Sequence, residues 1–409
     1  MKNKNIKIKH RKTAHLFPFS CLLFIFFFTI SSCNNNSETE STDDEDTITI
    51  PKPVFIDITF NESSAAVNIP AEAIGVTCSS GTSTEVVLSL DSAVTTEYIY
   101  RAKGASTQGS LTINSNYKFT LLLAGIDLTS TTTEPALHLN CGKRISLILQ
   151  ENTVNTFTDN ALNDKRGALY AKGHLEIEGG GVLNVTGNAR HAIAAKEYLQ
   201  LKKTTGYINI LHSVGDGIHC GKGDGDPENN YFKMNGGTLH FTDVQGDLID
   251  CDDYGTAYIQ GGTLYLTVDN YDTKGLKADS LIYMTGGTIH LNVSGNTSVG
   301  IQTNYAAYFS GGTITGTVAG LGTNGIKGND SKGSLTVQNG GNLYFSGTTV
   351  NLSVIGYSKC YAIYSEHDIT ATAGTLQLSG YPVNFPGYKA KDTLTGEDFF
   401  SWTDIDENE

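Results

Sequence analysis

The chain has 409 residues, a formal net charge of −14, 45 Gly and only 8 Pro. That length is ample for a continuous core, and the Gly usage implies many tight turns without a Pro-rich linker. The acidic balance argues against a nucleic-acid partner, which demands the opposite sign, and suits a surface protein or a cation binder. Helical periodicity is scarce, whereas short β-rich runs punctuated by Gly pairs recur along the sequence.

Residues 1–12 form a basic segment (Lys2, Lys4, Lys7, Lys9, Arg11, Lys12), followed over residues 16–30 by an apolar run interrupted by Pro18 and small polar residues. The run is short for a membrane span and right for a signal peptide, with an uncleaved anchor as the competing reading. It ends in Ile30-Ser31-Ser32-Cys33, which resembles a bacterial lipoprotein box in which the cysteine is acylated. Residues 1–32 are therefore expected to be removed, leaving Cys33 lipidated and the mature net charge near −20, because the segment holds six basic and no acidic residues. Residues 33–50 (NNNSETESTDDED and after) have nothing to bury and read as a disordered acidic tether. An acidic run behind the anchor resembles the surface-export signal of Bacteroidota lipoproteins, which implies attachment to the outer membrane, facing the cell exterior.

Beyond the tether a repeat appears. Gly-Gly-Thr followed by Leu or Ile places one aliphatic column at Leu183, Ile208, Leu239, Leu264, Ile289, Ile314, Leu343 and Leu376. A second column runs Leu137, Leu169, Ile193, Ile218, Ile249, Leu276, Ile301, Ile326 and Ile363. The two keep step at about 25 residues. Strands such as GGTLHFT alternate apolar and polar positions, so each has one face to bury and buries it by stacking on the next coil. The expected fold is all-β: a right-handed, single-stranded parallel β-helix over residues 111–380, with an N-terminal cap over 51–110 and a C-terminal cap over 381–409. Irregular gaps place loop insertions at GKGDGDPENNY and between Leu343 and Ile363.

The segments YKFTLLLAGIDLTS, PALHLNCGKRISLILQENTVNTFTD, GALYAKGHLEIEGGGVLNVTG, HAIAAKEYLQLKKTTGYINI and GDGIHC resemble, in order, the carbohydrate-binding-domain family of pectate-lyase-like β-helix proteins, clostridial cellulose- and pectate-binding type. The resemblance covers roughly residues 110–380. It implies bound calcium and affinity for plant polysaccharides without established catalysis. Where the family often shows paired Asp, this chain has single Asp residues after Gly (Asp216, Asp247), which leaves the number of calcium sites open.

Asp216 and Asp247 stand two residues before the second marker in consecutive coils, which lie about 4.8 Å apart. Two carboxylates at that distance repel by roughly 3–4 kcal/mol at an effective dielectric near 20, so one takes a proton or a cation sits between them. Asp250, Asp252 and Asp253 follow in the same coil and Asp279 falls one coil on, a density of hard oxygens that suits Ca²⁺. Asp224 and Asp226 form a weaker calcium candidate. The column Asp252, Asp279, Asn304, Asn329 equally fits a purely conformational ladder. For glycan binding, Tyr258, Tyr283 and Tyr308 make one outward column, and His240, Tyr265, His290, Thr315 and Tyr344 a second. A stack that only stiffens the solenoid is the competing reading. Cys220 and Cys251 share an inward column, read as small-residue packing with a disulfide possible. Five cysteines besides Cys33 in the mature chain make at least one unpaired within it.

The leading function is a non-catalytic, calcium-associated binder of cell-wall polysaccharide such as pectate or cellulose, a monomer touching the membrane only through its lipid. One alternative is a calcium-dependent polysaccharide lyase. Arginine is absent after Arg190, so its base is sought at Lys274 or Lys277. A glycosidase built on Asp252 and Asp253 has weaker support, and a structural adhesin needs neither calcium nor exposed rings.

Overall fold

The structure, a computed structural model, describes residues 54–80, 84–221, 227–319, 322–328, 341–355, 360–380 and 387–405. These belong to one compact unit, Lys52–Glu409. Residues 1–53, with the signal segment, Cys33 and the tether, lie outside the described residues, as do Asp224, Asp226 and Asn329.

Alternating side chains leave every strand half apolar, and the chain buries that half by winding. The result is a parallel β-solenoid of about 11 turns with ~26 residues per turn. Its strands pair coil to coil in a 20-stranded and a 13-stranded sheet. The second marker column holds in full, from Val86 and Leu111 through Leu137, Leu169, Ile193, Ile218, Ile249, Leu276 and Ile301 to Ile363 and Tyr388.

The first column holds from Leu183 to Ile314 and then departs from the sequence reading. Ile314 pairs with Val350, and Val350 with Leu376. Leu343 instead stacks between Ala307 and Ile369, on the preceding face of the coil. The second insertion therefore falls before Leu343, across residues outside the description, and Leu343 to Ile363 is of ordinary length.

The segments read as caps carry on the winding. Phe55–Asn61 pairs in parallel with Ile99–Ser106, and Glu85–Leu90 with Ser110–Asn114. Two antiparallel strands close this end, Ser64–Asn68 on Phe55–Asn61 and Val76–Ser80 on Glu85–Leu90, which occupies edges otherwise open to pairing. At the other end Tyr388–Ala390 and Phe400–Asp404 add a last partial coil.

The Gly-Gly corners stack as well. At Gly237, Gly262, Gly287 and Gly312, φ is 81–84°, a left-handed backbone that a Cβ disfavours. A Cβ on Gly312 would also lie 2.7 Å from the Gly287 carbonyl oxygen and 2.7 Å from Met284 Cε. Gly125 has the same φ, 83°, with nothing within 4 Å of such a Cβ. Gly125→Ala should therefore cost only the backbone term, about 1 kcal/mol, and Gly312→Ala a further ~1–3 kcal/mol of overpacking. Equal shifts of the urea midpoint for the two variants would show that corner stacking contributes nothing.

Candidate functional site

On the strands Ile218–Cys220, Ile249–Cys251 and Lys274–Ala278, the residues on either side of His219, Asp250 and Lys277 face inward, which leaves these three in one outward column. Cys220 and Cys251 lie in the core on consecutive coils as free thiols, so no disulfide joins them. His219 and Asp250 are only 4% and 7% exposed despite facing out. Around them gathers a second column, two residues before the marker: His191, Asp216, Asp247, Lys274.

This second column is tied by side chain to backbone. The Asp216 N–H donates to His191 Nδ1 (3.0 Å), the Asp247 N–H to Asp216 Oδ1 (3.0 Å), and the Lys274 N–H to Asp247 Oδ1 (2.8 Å). Asp216 Oδ2 takes a hydrogen bond from His219 Nδ1 at 3.0 Å. His219 Nδ1 also lies 3.5 Å from Asp250 Oδ2, and Lys277 Nζ donates to Asp250 Oδ1 at 3.0 Å. From two coils back, Arg166 places Nη2 2.5 Å from His219 Nε2 and donates through Nη1 to the Gly221 carbonyl at 2.9 Å.

The cluster's protonation follows from this packing. Burial, with Asp216 and Asp250 adding their charge, pushes Asp247 up to about 6. Burial opposes ionisation of Asp250 too, but the hydrogen bonds from His219 and the nearby Lys277 outweigh it and hold its pKa below the usual range. Burial alone would lower His219, and Asp216 with Asp250 more than offset it. The guanidinium on Nε2 pulls the other way, since a donated N–H needs the lone pair there. His191, stacked on His219 with ring centroids 4.4 Å apart, is driven down to about 2 by burial, then by His219, Arg190 and Arg166.

The sequence-selected carboxylates divide into two sets. Oxygens of Asp216, Asp247 and Asp250 lie within 4.8 Å of one another. Asp247 Oδ2 has no protein donor among the described residues, and its proton affinity is already raised by two neighbouring carboxylates. This hard-oxygen set fits Ca²⁺. The grouping His191, Asp216, His219 is equally close, but both Nδ1 atoms are already engaged by Asp216. Asp252 and Asp279 form a separate carboxyl pair, with Asp279 raised to about 6 by burial and by Asp252 against the pull of Lys277, and with Asn304 Nδ2 donating to it at 3.1 Å. Asp253 occupies a left-handed turn (φ 51°) and presents its carbonyl to Asn230.

Neither lysine is placed as a base. Lys274 Nζ turns to Asp272, bonding its carbonyl at 2.6 Å and its carboxylate at 3.1 Å. Lys277 is half-buried, yet Asp250 and Asp279 more than offset the desolvation and hold its pKa above the usual value.

The ring columns lie on the 20-stranded sheet. Tyr258, Tyr283 and Tyr308 stack at 5.4 and 5.1 Å, and Tyr344 continues this column at 4.9 Å rather than joining the other. The stack reaches back through an edge contact to Tyr231, then Tyr198 and His174. The second column is His240, Tyr265 and His290, stacked at 4.2 and 4.6 Å, with Thr315 beneath. Interplanar angles of 8–10° along Tyr258 to Tyr344 mean the faces cover one another. The ladder therefore offers ring edges and phenol hydroxyls outward, and those of Tyr258, Tyr283, Tyr308 and Tyr344 have no protein partner among the described residues.

Sequence reasoning missed Arg166, His191 and His219. A search for histidine pairs on one helical turn does not find residues that meet across coils. Reading the column already marked by Asp216 one coil back, to His191, would have found the first.

The family described as carbohydrate-binding domain-containing protein matches residues 90–382. Among solved structures, a polysaccharide lyase-like protein from C. thermocellum, in a gadolinium derivative, aligns over 86% of this chain and 100% of its own, at 15% identity and a TM-score of 0.35. No curated protein matches.

Because its folded pKa is raised, Asp247 favours the native state below its unfolded pKa of ~4 and loses that advantage as pH rises through about 6. Asn at this position keeps the acceptor for the Lys274 N–H without the charge. In chelator, Asp247→Asn should therefore be more stable than wild type at pH 7.5, on the order of 2 kcal/mol, with the gap closing by pH 4. A gap independent of pH would refute the assignment.

Proposed function

The chain belongs to the carbohydrate-binding domain-containing family, and from that membership we propose that it is a non-catalytic polysaccharide binder held at the cell surface. The observation that carries this reading is the pair of outward rows on one rigid solenoid. One is a row of unpartnered phenol hydroxyls at about one coil spacing, and the other a row of charged groups around Asp216, Asp247 and Asp250. A repeating polymer lying along the solenoid axis would meet the same chemistry on each rung, so that many weak hydrogen bonds add along its length.

Calcium belongs to the proposal. Asp216, Asp247 and Asp250 would hold it, and the bound ion would supply positive charge for an acidic sugar. This chain's own residues set the register: the Lys274 N–H fixes Asp247, and Lys277 fixes Asp250. Attachment through Cys33 to the outer membrane, facing outward, is the companion proposal for residues 1–50. It is supported by the basic and apolar runs, the Ser32-Cys33 step and the acidic tether. A plant cell-wall glycan, pectate or cellulose, is the proposed ligand class.

Two outcomes are expected. Calcium should raise the melting temperature of the domain by linkage, and Asp247→Asn, stabilising in chelator, should erase most of that rise. A calcium response identical in the variant would remove the site from these residues. Separately, the triple change Tyr283→Phe, Tyr308→Phe and Tyr344→Phe keeps the ring stack and deletes the hydroxyls. Retention on immobilised polysaccharide should fall about ten-fold, ~1.4 kcal/mol, with an unchanged melting curve. Undiminished retention would return the ladder to a purely stiffening role. Unsaturated uronides released in these assays would instead establish a lyase.

A further inference from the structure

Beside the carboxylates lies a set of donors that the described residues satisfy only in part. His191 is 5% exposed and its Nδ1 accepts the Asp216 N–H. The neutral ring therefore carries its proton on Nε2, and that buried N–H has no acceptor among the described residues. Leaving such a donor unpaired is costly, and native structures usually resolve it with water or a ligand. Arg166 and Arg190 stand on consecutive coils, one residue before the Gly167–His191 pair. Neither guanidinium has a carboxylate partner among the described residues. Arg166 is half-buried and spends its protein contacts on a carbonyl and an imidazole. Arg190 is exposed and makes no side-chain hydrogen bond among the described residues. In a chain of net charge −14, two neighbouring arginines that make no ion pair among the described residues are set for an anion from outside.

We infer that Arg166, Arg190 and the His191 Nε2–H form an anion subsite that takes the carboxylate of a uronate residue in an acidic polysaccharide. The inference rests on the polysaccharide-binding reading and narrows it to acidic glycans. A guanidinium offers paired N–H donors that match the two oxygens of a carboxylate. Arg190 provides the solvent-facing entrance, Arg166 the inner charge, and His191 a directional donor at the buried end. Asp216 abuts this subsite through His191, so a cation held by the carboxylate cluster would sit beside the bound uronate carboxylate. A sulfate ester on a glycan is the other source of such an anion.

The test uses the protein with residues 1–32 removed and Cys33→Ser, in chelator so that calcium cannot bridge. Polygalacturonate, its fully methyl-esterified form, dextran sulfate and cellulose are the probes. Wild type should bind polygalacturonate at least ten-fold more tightly than the neutral ester. Arg190→Gln, which breaks no internal contact, should weaken polygalacturonate about ten-fold and leave cellulose unchanged. Equal binding of the acid and the ester, or an Arg190→Gln variant with undiminished polygalacturonate affinity, overturns the subsite. Tighter binding of dextran sulfate than of polygalacturonate, lost in the same variant, overturns the choice of carboxylate. Failure of wild type on all four probes, with and without calcium, is the distinct result that sinks the polysaccharide reading itself and the subsite with it.

Discussion

Parallel backbone pairing held in register from coil to coil underlies every other feature of this molecule. A parallel ladder fixes neighbouring strands about 4.8 Å apart, so residues 21–44 positions distant become lateral neighbours. Side chains then reinforce the ladder they stand on. Asp216 and Asp247 each accept the backbone N–H one coil ahead, and Asn342 and Asp368 repeat the device on another corner, receiving the N–H groups of Asp368 and Thr393. Carboxylates at these corners thus have a conformational role before they have any role toward a ligand. What sets Asp216 and Asp247 apart is that Asp250 and His219 crowd beside them, so conformation and charge are in tension at that point.

That tension explains why a lysine and an arginine converge there, Lys277 on Asp250 and Arg166 on His219. Three carboxylates within 4.8 Å cannot all ionise freely. Lys277 and His219 hold Asp250 ionised, Asp247 retains a raised pKa, and His191 stays neutral although it touches Asp216. A buried network of this kind contributes little net stability compared with apolar packing. Its presence on the outer face, next to a solenoid core that needs no such help, points to a role in recognition.

The solenoid was legible because its signal is periodic, and periodicity survives local irregularity. The second marker column could be written from the sequence without error. The first went astray at one look-alike: Gly340-Gly341-Asn342-Leu343 has the form of a corner motif, while the true corner is carried by Ser346-Gly347-Thr348-Thr349-Val350. Tyr344 followed Leu343 into the wrong column for the same reason. The tyrosine column was visible, but the direction its faces point was not, since stacking hides them only once the rungs are laid at about 5 Å. Asp216, Asp247 and Asp250 were found because like charges in one column demand an explanation. Arg166 was passed over because position along the chain was taken as position along the axis, yet a long side chain spans two coils and reaches His219, 53 residues later.

Charge complementarity across one corner decides what kind of polymer the arrangement can favour. A neutral glycan offers hydroxyls, which the tyrosine ladder can meet, but it leaves the carboxylate set and the unpaired guanidinium groups as they are. An acidic glycan with its counter-cation changes both at once. The cation would relieve the burial and repulsion that raise Asp247, and the anion would supply an acceptor to Arg190 and His191 and a counter-charge to Arg166. Each half of that exchange is weak at a solvent-exposed edge, and each is stronger at groups as buried as Asp250 and His191. Cation and uronate would then bind with positive coupling, because whichever arrives first lowers the cost of desolvating the charges facing the other. On this proposal, tyrosine hydroxyls would give the surface reach along a chain, and the buried corner between Arg166 and Asp250 would give it a preference among chains.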